Sequence, residues 1–246
     1  MLNLASVRHL LDTKCGSKPE KLALLATMRR NIRRVEAASS LWEQAQVVAA
    51  ILNAPVPGIV VECGSYKGGS AVNLSLAARM AGRKLLLCDS FAGLPRPSSA
   101  DAVHTHCDGI TERYSEGDWC GTLAEVKANV SRYGAPEVCE FLVGYFDNTL
   151  PRLRESVAVA FCDVDLTDSL RTCLRYLWPL MPIGGAIFTH EAHQLEVASL
   201  FFDRSWWKSE LSCEAPGLIG AGSGLGLHPN GHGYSGSCLG YVVKRA

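Results

Sequence analysis

The sequence predicts an α/β fold with a parallel, doubly wound sheet. Three observations predict it. Short apolar, β-branched runs alternate with segments of helical period after residue 57. A glycine-rich turn, Gly64-Ser-Tyr-Lys-Gly-Gly69, follows the first run directly. An acidic residue closes each of the first two runs, Glu62 and Asp89. Parallel α/β sheets gather their ligands at the carboxyl ends of such strands, so this corner is the expected binding site.

Residues 1–56 carry three amphipathic helical patterns. Leu4, Val7, Leu10 and Leu11 mark the first; Leu22, Leu25, Met28, Ile32 and Val35 the second; Leu41, Ala45, Val48 and Ile51 the third. Pro55 and Pro57 close this block, giving an expected helical cap over 1–56 and a main domain over 57–246. Arg29, Arg30, Arg33 and Arg34 form a basic stripe on the second helix and read as a solvated face. Strands are expected at 59–62, 84–88, 137–143, 157–162 and 185–189, and helices at 69–81, 121–133, 168–179 and 191–203. Leu239 to Val243 reads as a closing strand. Two segments break the pattern: the long loop 90–118 and a Gly-rich tail from Pro216 that holds His228, His232 and Tyr234. A loop of that length is a functional candidate.

Composition narrows the class. In 246 residues, 48% are hydrophobic, enough for a large core, and 24 basic residues balance 24 acidic ones. That balance gives no reason to expect nucleic acid or an anionic membrane as partner. No apolar run approaches the ~20 residues of a membrane span. The ten cysteines are scattered with no C-x-x-C pair and read as free thiols in a reducing cytoplasm.

The turn after the first strand is not the dinucleotide fingerprint, because its glycines fall at 64, 68 and 69 rather than as G-x-G-x-x-G. Asp89 is placed to accept hydrogen bonds from a ribose diol. His104, His106, Cys107 and Asp108 match no standard zinc spacing and read as local loop packing. Trp206 and Trp207 read as core cover, whereas Trp119 is placed to touch a cofactor.

The segments Val-Glu-Cys-Gly-Ser-Tyr-Lys-Gly-Gly-Ser (61–70) and Asp-Ser-Phe-Ala-Gly-Leu-Pro (89–95) resemble the first two motifs of the macrocin O-methyltransferase family. The resemblance continues through 117–126, 144–151, 161–170 and 177–188, so it covers about residues 55–192 in order. It implies a class I, Rossmann-like methyltransferase fold with S-adenosylmethionine as cofactor and a small-molecule hydroxyl as acceptor. By the same resemblance Gly64, Ser65, Gly68 and Ser70 would cradle the methionine portion. Asp89 would bind the ribose, Ser90 and Phe91 would flank the adenosine, and Thr122 would border the adenine. Glu62 would pair with the methionine amine or hold the turn.

The family's magnesium ligands are an Asp matching Asp163 and an Asp-Asp pair after the next strand. Here that pair is replaced by His190-Glu191, which leaves three readings. Asp163, His190 and Glu191 still hold a divalent ion, with imidazole shifting preference from magnesium toward manganese, iron or zinc. Alternatively, no metal binds and His190 or His193 is the general base. In the third, His190 is structural. Asp165 reads as a local hydrogen-bonding residue. The expected protein is thus a cytoplasmic, homo-oligomeric O-methyltransferase of natural-product biosynthesis, metal-binding in the first reading. An N- or carboxyl-methyltransferase, or an inactive cofactor-binding protein, are the alternatives.

Overall fold

The computed structural model describes residues 4–222 and 237–245. His228, His232 and Tyr234 lie outside the described residues.

Three helices come first: α1 (Leu4–Leu11), α2 (Lys18–Asn31) and α3 (Leu41–Asn53). Ser17 and Ser40 start α2 and α3 through capping boxes, each hydroxyl accepting from the backbone N–H of a Glu three residues on, Glu20 and Glu43. Leu24, Leu25 and Met28 turn α2 toward the core, whereas Leu22, expected on that inner face, is 50% exposed. Arg29, Arg30, Arg33 and Arg34 are exposed, as the solvated-face reading requires.

The main sheet follows. Its strands are β1 (Ile59–Cys63), β2 (Leu85–Asp89), β5 (Cys139–Val143), β6 (Val157–Cys162), β7 (Ala186–Thr189) and β8 (Gly240–Val243), numbered with a separate hairpin, β3 (Val103–Thr105) and β4 (Thr111–Arg113). The six main strands run β5-β2-β1-β6-β7-β8, the first five parallel and β8 antiparallel to β7. Helices α4 (Gly69–Met80), α5 (Leu123–Tyr133), α6 (Phe146–Thr149), α7 (Thr167–Leu177), α8 (Leu195–Leu200) and α9 (Arg204–Leu211) complete the chain.

Strand alternation sorts the core into two layers. Val60, Leu85, Leu87, Val159 and Phe161 pack against α2–α5; Val61, Leu86, Cys88, Ala160 and Ile187 pack against α7–α9. Trp207 is fully buried in the second layer, 5.0 Å from the Trp178 ring.

The structure shifts several expected boundaries. β1 runs one residue past Glu62, β5 starts at Cys139 after a short 3-10 turn at 136–138, and the helix expected over 191–203 is only Leu195–Leu200. The loop 90–118 is not structureless, because it contains the β3–β4 hairpin.

Candidate active site

The site is built by strand register. Cys88, Cys63, Cys162 and Thr189 sit side by side on β2, β1, β6 and β7. The next residues along those four strands are Asp89, Gly64, Asp163 and His190. Backbone bonds extend the ladder to this row: Gly64 N donates to Cys88 O at 3.0 Å, Asp163 N to Cys63 O at 2.9 Å and His190 N to Cys162 O at 3.0 Å. One residue type along this row is dictated by space. Gly64 has φ +83°, and a Cβ there would lie 1.8 Å from the Asp163 carbonyl oxygen, so only glycine lets the two chains pass.

Above this row lies a cavity of about 240 Å³, lined by Gly64, Ser65, Ser70, Asp89 and Ser90 on one side and by Asp163, His190, Glu191 and His193 on the other. Nine of the expected site residues thus meet in one space. Glu62, Gly68, Phe91 and Thr122 do not line it. Gly68 takes the left-handed turn before α4. Phe91 lies beside Phe141, ring centroids 6.3 Å apart. Thr122 is spent as the N-cap of α5, accepting from Glu125 N at 3.2 Å. Trp119 lines the cavity, its ring edge-on to Tyr66 at 5.5 Å. Tyr66, Trp119 and Asp165 all line the cavity with positive φ, at 46°, 55° and 57°. Such strain gathers where surrounding structure holds a functional loop.

Asp89 organises the turn. Its two oxygens accept from the backbone N–H of Ser65 at 2.6 Å and of Phe91 at 2.7 Å. Burial raises its pKa against those bonds. Each oxygen retains a second lone pair for a ligand hydroxyl.

Glu62 is fully buried, and neither of its oxygens has a hydrogen-bond partner. Burial pushes its carboxyl up to about 8; the nearby Ser70 hydroxyl opposes the rise, and the charges of Asp163 and Asp89 add to it. The hydroxyl of Ser65, which lines the cavity, is also unpartnered. Unsatisfied buried polar groups are costly in a fold unless a ligand completes them. A cationic, hydrogen-bonding ligand such as an amino-acid amine fits this end of the site.

The opposite end is a buried charge cluster. His190 Nδ1 lies 3.4 Å from Asp163 Oδ1, and its Nε2 lies 3.4 Å from Glu43 Oε2. Burial works against a charged imidazole, but Asp163 and Glu43 outweigh it and hold His190 well above its ordinary value. Glu43 is held well below the usual carboxylate range, burial being outweighed by His190 and the Ser40 bonds. Its other oxygen accepts from Ser237 Oγ at 3.1 Å and Cys238 N at 2.7 Å. Glu43 was not among the expected site residues; its sequence signal was the capping box of α3.

Glu191 is a brace. Oε1 accepts from Val164 N at 3.0 Å and Asp165 N at 3.2 Å, and Oε2 accepts from Thr189 Oγ1 at 2.6 Å. Burial, then the Asp163 charge, raises its pKa. Burial, then Glu191 and Asp163, likewise raises that of Asp165. His193 is pushed down to about 4 by burial and by the charges of His106 and His190.

Asp163, His190 and Glu191 bring potential ligand atoms within 4.8 Å of one another. Their bonding fits a divalent ion poorly. Both His190 nitrogens face carboxylates, and both Glu191 oxygens already take donors. A metal ligand must offer an unprotonated lone pair.

In the long loop, His104 bonds to Asp101 at 3.0 Å and to Gln194 at 2.5 Å, while Cys107 and Asp108 are exposed. His106 instead meets Glu112 at 3.1 Å and stacks edge-on to His193, centroids 4.5 Å apart.

A family model described as macrocin-O-methyltransferase (TylF) matches residues 37–204. A tetracenomycin-C 4'-O-methyltransferase of Streptomyces olivaceus, acting on the 8-demethyl-8-(2,3-dimethoxy-alpha-L-rhamnosyl) form, is 33% identical over 147 residues, 57% of this chain and 55% of that protein. The mycinamicin III 3''-O-methyltransferase of Micromonospora griseorubida is 31% identical over 144 residues, 56% of each. The chain thus spans about half the length of these curated relatives. Among solved structures, the O-methyltransferase NovP aligns with a TM-score of 0.61 at 20% identity, over 85% of this chain and 84% of that one. The calicheamicin methyltransferase CalS11 aligns at 0.57 and 14% identity, over 95% and 96%. At those identities the likeness establishes the fold alone, the class I methyltransferase architecture. The family match covers well over half of the sequence, from α3 to the start of α9, and the chain belongs to the macrocin O-methyltransferase family.

Proposed function

We propose that this protein is an S-adenosylmethionine-dependent O-methyltransferase acting on a hydroxyl of a small molecule in natural-product biosynthesis. The observation that carries the reading is the row Asp89, Gly64, Asp163 and His190, set by register at the floor of one cavity. Family membership supports it, as do curated relatives named as O-methyltransferases of a rhamnosyl-tetracenomycin and of mycinamicin III.

The residues fit the cofactor. Asp89 offers its free lone pairs to the ribose diol, and Ser90 stands beside it. The 64–69 backbone, Ser65 and Ser70 take the methionine portion, with the buried Glu62 carboxyl behind Ser70. When bound, S-adenosylmethionine supplies a methyl group on a positively charged sulfur. Tyr66, Trp119 and Phe146 line the cavity and give it an aromatic wall. Holding the two reactants in line supplies much of the acceleration.

The acceptor hydroxyl must also lose its proton. We give that role to Asp163, which lines the cavity, rather than to His190. His190, held between Asp163 and Glu43, keeps its proton and lends positive charge beside the developing alkoxide. His193, kept neutral, presents its ring to the acceptor wall. The metal reading of Asp163, His190 and Glu191 enters no step.

Residues 1–56 act in this reading as a cap on the 57–246 transferase domain; Ala37 and Ala38 line the cavity and Glu43 reaches His190, which supports continuity between the two. Ten free thiols support a reducing, cytoplasmic setting. Homo-oligomeric assembly through the amphipathic N-terminal helices is part of this reading, and light scattering tests it. Among the described residues no helix is long and apolar enough to cross a membrane. The experiment for the activity is incubation with methyl-labelled S-adenosylmethionine and a panel of glycosides, read by mass spectrometry. A labelled ether product is expected. Label on nitrogen or a carboxylate, or none with any acceptor despite cofactor binding, would replace this reading.

A further inference from the structure

We propose that His106, Glu112 and His193 form a transition-metal site on the acceptor wall of the cavity. The site shares no residue with the Asp163, His190 and Glu191 corner. The proposal rests on the methyl-transfer reading for its purpose, since it concerns how an acceptor hydroxyl is held.

Geometry carries it. One ligand atom from each of the three side chains lies within 4.8 Å of the others. His106 Nε2 and Glu112 Oε2 are 3.1 Å apart, a hydrogen bond whose one shared proton an ion would displace, and the two imidazole rings stand edge-on with centroids at 4.5 Å. The residues come from three places in the chain, and the fold locks them together. The β3–β4 hairpin, turned through Gly109 at φ +86°, brings His106 and Glu112 to one side. An antiparallel bridge joins His106 to Gln194, and Cys107 N donates to the His193 carbonyl at 2.9 Å. A site held by backbone pairing on both sides loses little entropy when an ion binds.

The donor set selects the ion. Two imidazoles and one carboxylate suit zinc, iron, cobalt or nickel far better than magnesium. Three protein ligands leave a coordination position open, the pattern of catalytic rather than structural metal sites. Glu112 and His193 both line the cavity, with His106 behind them, so an ion held by the three borders the acceptor space.

Charge points the same way. Asp89, Glu112, Asp163, Asp165 and Glu191 line the cavity with His190 as the cation beside them, and no Lys or Arg is among its lining residues. The stretch 223–236 contains neither residue type. A divalent ion at the hairpin offsets this excess of carboxylate. A hydroxyl bound to it becomes more acidic and passes its proton to the Asp163 carboxylate.

The test is cobalt titration of the chelator-treated full chain, loaded with S-adenosylhomocysteine, followed by visible absorption. One equivalent of Co²⁺ is expected, with the bands of nitrogen-ligated cobalt, displaced by Zn²⁺. His106→Ala, and the milder Glu112→Gln at a half-exposed position, should each weaken uptake by more than the roughly 10–100-fold that losing an outer-shell partner costs. Both should leave S-adenosylhomocysteine affinity unchanged. No stoichiometric cobalt uptake by protein that binds S-adenosylhomocysteine would overturn the site. So would bands that survive His106→Ala and vanish in Asp163→Asn. Loss of S-adenosylhomocysteine binding in the wild type would strike the methyl-transfer reading instead.

Discussion

His190 Nε2 stands 3.4 Å from Glu43 Oε2, across 147 residues of sequence. This contact ties the third N-terminal helix to the end of β7, and the same carboxylate holds Ser237 and Cys238. The N-terminal helices therefore reach the reacting end of the cavity through one side chain.

Replacing Glu43 by Gln should cost about 1.5–3 kcal/mol of stability, the range for a hydrogen bond to a charged group. The sign follows from two shifts. Glu43 is depressed, so its contribution exists above the ordinary Glu value of 4.5 and fades as pH falls through its folded value. His190 is raised, so its contribution exists below the ordinary His value of 6.5 and fades as pH rises through its folded value. Urea titrations should show the widest gap between wild type and Glu43→Gln at about pH 5–6. A gap independent of pH would contradict the clamp.

Glu62→Gln should weaken S-adenosylhomocysteine binding roughly 10–100-fold, equivalent to about 1.4–2.8 kcal/mol. It should also change the pH dependence of folding. With a folded value raised to about 8 against an ordinary 4.5, wild-type Glu62 costs stability progressively as pH climbs between those values. The variant escapes that cost. Thermal melts at pH 5 and pH 9 should place the variant ahead of the wild type mainly at pH 9.

Asp89→Asn keeps one acceptor oxygen but sets an amide N–H₂ against the backbone N–H of Ser65 or Phe91. One turn contact should be lost together with a ribose acceptor. Calorimetry should show cofactor affinity down by about 10-fold or more, with the fold retained by circular dichroism.

Gly64→Ala should fail by sterics. Strain at φ +83° and a Cβ 1.8 Å from the Asp163 carbonyl together cost about 3 kcal/mol or more. The urea midpoint should drop sharply, and β1 and β6 should show the loss first in amide exchange.

Much of the architecture was legible because the strands are short apolar runs and the helices carry an apolar stripe. Asp89, Gly64, Asp163 and His190 were readable because each directly follows or ends such a run. Glu43 was hidden because its capping box explains it locally, and its second partner is supplied only by tertiary packing. The β3–β4 hairpin was missed because its strands are three residues long, too short for alternation to register, and it is held by the bridge from His106 to Gln194. That same bridge holds Gln194 in extended form after a turn over 191–194, and delays α8 to Leu195. Leu22 misled because its three-residue spacing to Leu25 leaves it off the stripe formed by Leu24, Leu25 and Met28. Thr122 was placed at a helix start correctly, and there its hydroxyl accepts the capping bond of α5.

The most direct test is isothermal titration of the full chain with S-adenosylhomocysteine. The account predicts one-to-one binding that weakens in both Glu62→Gln and Asp89→Asn. Absence of heat from well-folded wild-type protein, confirmed by equilibrium dialysis with labelled S-adenosylmethionine, would contradict it.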